Sequence, residues 1–144
     1  MIVFDTGPLV AAAIPNQRRH HACVELLTGS RLAGRRLILP PTVTAEVGYF
    51  LNRYGSPAVE AAFLGSVAAG DFETVDLTPA DYRRMSELVS RYADLPLGTT
   101  DASVIAVAER LGATEVATLD LRHFSVVRPR HIASLALVPS ADED

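Results

Sequence analysis

The sequence predicts an α/β fold with a central, mainly parallel sheet covered by helices on both faces. Three observations predict it. Short apolar runs such as Ile2-Val3-Phe4 are β-branched or aromatic without alternation, the pattern of strands buried on both faces. Helical stretches separate these runs along the chain, and Gly or Pro marks the junctions. Strand–helix alternation of this kind builds a parallel sheet between helical layers.

The elements follow in order. Ile2-Val3-Phe4 is the first strand, and Pro8 suits the first position of the next helix, with Thr6 or Gly7 capping. His20 to Thr28 carries Ala22, Val24, Leu26 and Leu27, a helix ending near Gly29. Arg36 to Leu39 is a strand stopped by Pro40-Pro41. Thr42 caps a helix from Val43 to about Tyr54, ended by Gly55, and Pro57 opens another from Ala58 to Ala69, ended by Gly70. Phe72 to Leu77 reads as a strand. Thr78-Pro79-Ala80-Asp81 is a capping sequence for a helix to about Tyr92. Asp94 to Gly98 is a loop, and Thr99 or Thr100 caps a helix running to Leu111-Gly112. Glu115 to Leu119 is a strand ending on Asp120, and Leu135 to Val138 is a last strand before an acidic tail.

At 144 residues the chain fits one domain, large enough to bury about two-thirds of its unfolded surface. Its 49% hydrophobic and 21% charged residues are globular in balance. No apolar stretch approaches the ~18 residues of a membrane span, and the N-terminus lacks the basic and apolar regions of a signal peptide, so a cytoplasmic protein without membrane contact is expected. A single cysteine, Cys23, excludes an intrachain disulfide. The net charge of −4 argues against holding nucleic acid by overall electrostatics. All 13 basic residues are Arg, some of them clustered in Arg18-Arg19-His20-His21, in Arg35-Arg36 and around Arg122-His123. Guanidinium groups suit phosphate, but a solvated face explains such clusters equally well.

Four acids stand where acids are costly or positioned. Asp5 ends a buried strand and faces the edge of an α/β sheet where ligands bind. Glu46 lies three residues from Val43 and four from Phe50, inside the apolar stripe of its helix. A Glu there needs a partner. Asp101 heads a helix whose inward face is Val104, Ile105, Ala108 and Leu111, although the helix dipole alone also favours an acid there. Asp120 repeats the arrangement of Asp5, closing Val116-Ala117-Thr118-Leu119. Each acid has a structural excuse, but together, with no Lys to neutralise them, they point to a cation. An oxygen-only set selects Mg²⁺ or Mn²⁺ over Zn²⁺. Such an ion activates water and clamps phosphate oxygens during phosphodiester hydrolysis.

The segments V-F-D-T-G-P-L, P-P-T-V-T-A-E-V-G-Y, D-L-P-L-G-T-T-D-A-S-V-I-A-V-A and V-A-T-L-D-L-R-H-F resemble, in order, the four motifs of PIN domains. More narrowly, the chain from Ile2 to Val138 is similar to VapC-type toxins of bacterial toxin–antitoxin pairs. The resemblance implies a PIN-like three-layer α/β/α sandwich, one domain over 1–139 with a short acidic tail at 140–144. It implies a Mg²⁺-dependent endoribonuclease, with Mn²⁺ able to substitute, whose metal site and catalytic residues are Asp5, Glu46, Asp101 and Asp120. Thr6 matches the hydroxyl residue that orders the first acid, and Asp94 is a secondary candidate in the third motif. Arg122 and His123 are candidates to touch RNA, although a solvated turn accounts for them too. The resemblance also implies a homodimer and a small VapB-type antitoxin whose C-terminal segment fills the groove and reaches the acids.

Other constellations carry less. His20, His21 and Cys23 lack a second ligand pair at a usable zinc spacing. No G-x-S-x-G elbow, Walker loop or dinucleotide fingerprint is present. Tyr49, Phe50 and Tyr54 are expected as core or dimer contacts rather than base-stacking platforms. Two rival functions stay open at this point: a receiver-like phosphotransfer domain, which would normally use a Lys, and a non-catalytic interaction module on the same fold.

Overall fold

The computed structural model describes residues 1–141. Its sheet has five strands, β1 (Ile2–Phe4), β2 (Leu37–Leu39), β3 (Glu73–Thr74), β4 (Glu115–Ala117) and β5 (Ala136–Val138). They lie in the order β3-β2-β1-β4-β5, and every neighbouring pair is parallel. Val3 pairs with Ile38 on one side and Val116 on the other, so β1 is central. Ile2, Val3 and Phe4 are fully buried, as their continuous apolar run requires. Burying each such side chain contributes about 1.5–3 kcal/mol.

Seven helices cover the sheet: α1 (Thr6–Ala13), α2 (His20–Leu32), α3 (Pro41–Tyr54), α4 (Pro57–Ala68), α5 (Pro79–Arg91), α6 (Thr99–Leu111) and α7 (Leu121–Val126). From β1 the chain steps outward to β2 and β3, then crosses back to β4 and β5. Right-handed crossovers therefore put α1 to α4 on one face and α5 to α7 on the other. The packing agrees, with α1 against α2 and α3, α3 against α4, and α5 against α6. The direction of winding reverses between β1 and β4. That reversal opens a crevice at the carboxyl ends of these two strands.

Several boundaries differ from the sequence expectation. α1 begins at Thr6, two residues before Pro8. α2 runs through Gly29 and ends a turn later, beside Gly34 in the left-handed region at φ +65°. Nothing lies near the space a side chain at Gly29 would occupy, so the glycine weakens the helix without stopping it. Pro40 and Gly98, not Thr42 and Thr99 or Thr100, stand at the N-caps of α3 and α6. The hydroxyls of Thr42 and Thr100 are engaged elsewhere, on Ser103 and Glu46. β3 shrinks to an edge pair because Phe72 turns inward, meeting Phe4 and Phe63 edge-on. α7 was expected as a turn. It forms because the Asp120 side chain caps the His123 amide and Phe124 is buried. The Thr78–Asp81 capping box is present as expected. Residues 142–144 of the expected acidic tail lie outside the described residues. Among the described residues no helix is long and apolar enough to cross a membrane.

Candidate active site

The crevice beyond β1 and β4 is where the acids meet. Asp5 follows β1 directly, and its amide bonds the carbonyl of Ala117, so the pairing of β1 with β4 continues to the site. Asp120 follows β4 at the start of α7, Glu46 projects from α3, and Asp101 sits in the first turn of α6. All four acids line one cleft of about 530 Å³, together with Thr6. The acids come from the ends of β1 and β4 and from α3 and α6, and no two of them are near neighbours in sequence.

Hydroxyl side chains hold the acids in place. Thr118, fully buried, donates to Asp5 Oδ2 at 2.9 Å and accepts the Asp120 amide at 2.9 Å. One hydroxyl thus ties two acids from different strands. Thr100 donates to Glu46 Oε2 at 2.9 Å, which ties α6 to α3. Ser103 donates to the Thr100 carbonyl and meets Thr42 at 2.6 Å, bracing the same junction. Asp5 stands at the N-cap of α1 but its side chain makes no capping hydrogen bond, so a structural role as helix cap does not explain it.

The electrostatics are those of carboxylates that repel one another. Burial, helped by the charges of Asp101 and Glu46, pushes the Asp5 carboxyl up to about 6 against the pull of the Thr6 amide and the Thr118 hydroxyl. Asp101 is raised by burial and then by the charge of Asp120, with His123 pulling the other way. Among the described residues, the ion pairs of the structure bring His123 and no arginine to these acids. His123 Nδ1 contacts both Asp120 and Asp101, the latter at 3.5 Å. Thr6 Oγ1 is buried in the cleft wall with no hydrogen-bond partner among the described residues. A shared site with mutually repelling carboxylates and an orphaned hydroxyl fits a hydrated divalent ion. Asp101, Asp120 and His123 can also direct one ligand atom each to a common point.

The other expected residues fall in two groups. Asp94 is exposed in the turn between α5 and α6 and does not line the cleft. Arg122 is exposed on α7, whereas His123 turns inward to the acids. Sequence reasoning missed Thr118 and Thr100, although each is a hydroxyl residue one or two positions before an acid, a usable signal. Of the aromatics expected as core or dimer contacts, Phe50 packs against the core, whereas Tyr49 is 60% exposed and Tyr54 54% exposed, and Phe50 and Tyr54 line the cleft.

A family profile described as PIN domain matches residues 2–128. The chain belongs to the PIN domain family. Within it, Ribonuclease VapC26 of Mycobacterium tuberculosis is 29% identical to this PIN domain over 138 residues, spanning 96% of this chain and 100% of that protein. Solved structures share the fold. VapC20 of M. tuberculosis, a toxin that cleaves the sarcin-ricin loop, superimposes with a TM-score of 0.71 at 19% identity, covering 81% of this chain and 87% of that one. VapBC2 of Rickettsia felis, bound to a DNA fragment from its promoter, gives 0.66 at 18% identity over 95% of this chain and 98% of that one. FitAcB of Neisseria gonorrhoeae gives 0.60 at 16% identity over 95% of this chain and 96% of that one. The three-layer PIN architecture and its parallel sheet are as expected from the sequence motifs.

Proposed function

We propose that this PIN domain is the toxin of a type II toxin–antitoxin pair, a Mg²⁺-dependent endoribonuclease that hydrolyses RNA phosphodiester bonds, with Mn²⁺ able to substitute. The observation that carries this reading is the convergence of Asp5, Glu46, Asp101 and Asp120 in one cleft at the switch point of the sheet. The names of the relatives support the substrate: VapC26 is a ribonuclease and VapC20 cleaves an RNA loop. Asp5, Asp101 and Asp120, with Glu46 behind Thr100, would hold the metal. When bound, the ion supplies Lewis acidity toward a phosphate oxygen and a more acidic water.

The chain's own groups do the rest. Thr118 fixes the orientation of Asp5 and the backbone of Asp120, so their oxygens face the cleft without reorganising. His123 Nδ1 lies against both Asp120 and Asp101, and as an N–H it would temper their repulsion. Specificity for a given RNA does not come from the acids, which meet phosphate and water rather than base edges. The whole reading places the protein in the cytoplasm as a single domain over 1–139.

Two partners belong to the proposal. A small VapB-type antitoxin is supported by α4, which is strongly apolar yet has none of its residues fully buried, and by the groove of about 520 Å³ it forms with α1 and α2. A homodimer is supported by exposed Tyr82 and Val89 flanking Met85 on α5.

The test is cleavage of a panel of structured RNAs by the purified chain with Mg²⁺, with Mn²⁺ and with EDTA. Cleavage is expected only with metal, and is lost in Asp101→Asn. Intact RNA in every arm, with no ion in crystals soaked in Mn²⁺, would favour the non-catalytic module. The receiver-like alternative is weakened by the absence of any Lys.

A further inference from the structure

The acid cleft extends well past the acids. Phe50 and Tyr54 follow Glu46 at steps of four residues along α3, so all three share one face of the helix. At 1.5 Å per residue they stand about 6 and 12 Å further along the axis than Glu46. Their rings are nearly parallel, 11° apart with centroids at 5.8 Å, and Tyr49 braces Phe50 edge-on at 5.3 Å. Phe50 is half-buried and anchored on the core, whereas 54% of Tyr54 faces solvent. Across from them Val10 of α1 is small, and Gln17 stands in the cleft lining beside the start of α2. The cleft therefore has a carboxylate end and a flat apolar end, with one side-chain amide in its lining.

That division matches a nucleotide, whose charged phosphate and flat base sit at opposite ends. We infer that the Phe50–Tyr54 stack seats an unpaired base of the RNA next to the phosphate that a cation at the acids would hold, with Gln17 available to its edge. The inference rests on the ribonuclease reading and deepens it. Every base has a π-face, so the stack orients the strand with little sequence preference, and the amide adds hydrogen bonds to a base edge. A chain of net charge −4 gains little affinity from overall electrostatics, so a stacking contact has more to contribute here than in a basic nuclease. A base on this shelf cannot be paired, so the site requires a loop, bulge or flipped nucleotide.

Two measurements test it with the full chain. In the first, an RNA that the wild type cuts is compared with the same RNA carrying one abasic nucleotide, moved in turn through the positions flanking the cut. At one position cleavage by the wild type should fall by about 5- to 100-fold, the range that loss of one base–aromatic stack predicts. Tyr54→Ala should lose a similar factor on the intact RNA and nothing more on that abasic RNA, and Tyr54→Phe should cut like wild type. In the second, 2-aminopurine replaces that base in an RNA whose scissile phosphate carries a phosphorothioate that slows its cleavage, and the fluorescence is read with Mg²⁺ while the strand is still whole. Quenching is expected with wild type and Tyr54→Phe, and much less with Tyr54→Ala. Wild-type rates for Tyr54→Ala, or losses that multiply with the abasic one, overturn the inference. So does a Tyr54→Ala chain that cuts and quenches normally but no longer holds its antitoxin, which makes the shelf a protein contact. If the wild type cuts no RNA, the ribonuclease reading fails by itself. The fluorescence arm, run on an unstructured 2-aminopurine strand, then decides the seat, and unchanged fluorescence overturns it.

Discussion

Thr118 occupies the point where two acids from different strands depend on one hydroxyl. Replacing it with valine keeps the shape but strips the buried Asp5 oxygen of a donor and the Asp120 amide of an acceptor. Leaving such groups unpaired costs about 1–3 kcal/mol each, and disturbed support of metal-site carboxylates costs roughly 10- to 100-fold in metal affinity or activity. Thr118→Val is therefore expected to melt several degrees lower and to need more Mg²⁺ for half-maximal cleavage, while Thr118→Ser stays close to wild type in both. An unchanged Mg²⁺ requirement in Thr118→Val would leave the residue a purely structural role. Asp101→Asn separates the two effects from the other side. It removes one charge from a repelling cluster, so in EDTA it should melt no lower than wild type, yet gain none of the rise in melting temperature that millimolar Mg²⁺ gives the wild type. A drop of several degrees in EDTA would mark Asp101 as a structural acid instead. The four acids were legible in the sequence because each sits against an apolar pattern that does not want it. The two threonines were not, since a hydroxyl in a strand or helix has many ordinary uses and only its partners reveal this one.

The α5–α6 pair shows how an element is held by charge as well as by packing. Asp81 closes the capping box with the Thr78 amide at 2.9 Å and accepts Arg110 Nε at 3.0 Å. Burial alone would raise its carboxyl, but the Thr78 amide and the Arg110 guanidinium outweigh it and hold Asp81 below its ordinary value. Glu109 behaves alike: burial is outweighed by the bidentate Arg84 and by the Arg130 amide. A depressed carboxyl binds fewer protons folded than unfolded, so its stabilisation is complete above the unfolded value near 4 and is lost as pH falls through the folded one. Asp81→Asn should thus be less stable than wild type at pH 7, by roughly 1–2 kcal/mol, and the gap should close on acidification. Melting curves from pH 7 to pH 3 check this, and a gap of constant size would assign the loss to packing. This capping box was readable from Thr78-Pro79-Ala80-Asp81 alone because capping is local. The six-residue α7 was not readable, because its stability comes from burying Phe124 rather than from its own pattern.

At the scale of the molecule, a parallel sheet between helical layers was legible, because the apolar runs do not alternate and helices separate them; the strand order β3-β2-β1-β4-β5 was not, because several runs are equally apolar and none names its neighbours. The faces left over are harder to read in sequence, because an apolar helix looks the same whether its own fold or a partner covers it. α4 is the case in point. Within Pro57–Ala68, Val59, Phe63 and Val67 pack against the core yet stay only half-buried, and Leu64 is 47% exposed. Its groove with α1 and α2 holds Leu27, Phe63 and Phe72, and lies apart from the acids, which share no lining residue with it. On the proposed reading, a toxin that must be kept silent would need a partner whose affinity does not depend on the metal, and an apolar groove outside the acid cleft would supply such a grip. The acid cleft would then attract a cationic segment of the same partner, giving inhibition in addition to binding. Ala62→Asp, on the exposed wall of this groove, places a charge where the partner would bury it and leaves the acids untouched. Co-expressed with the adjacent gene, the wild type should elute with the small protein by size exclusion and show no cleavage. Ala62→Asp should elute apart from it and cut RNA at the wild-type rate. Co-elution of the variant as firmly as the wild type would move the antitoxin contact off α4 and onto the acid cleft alone.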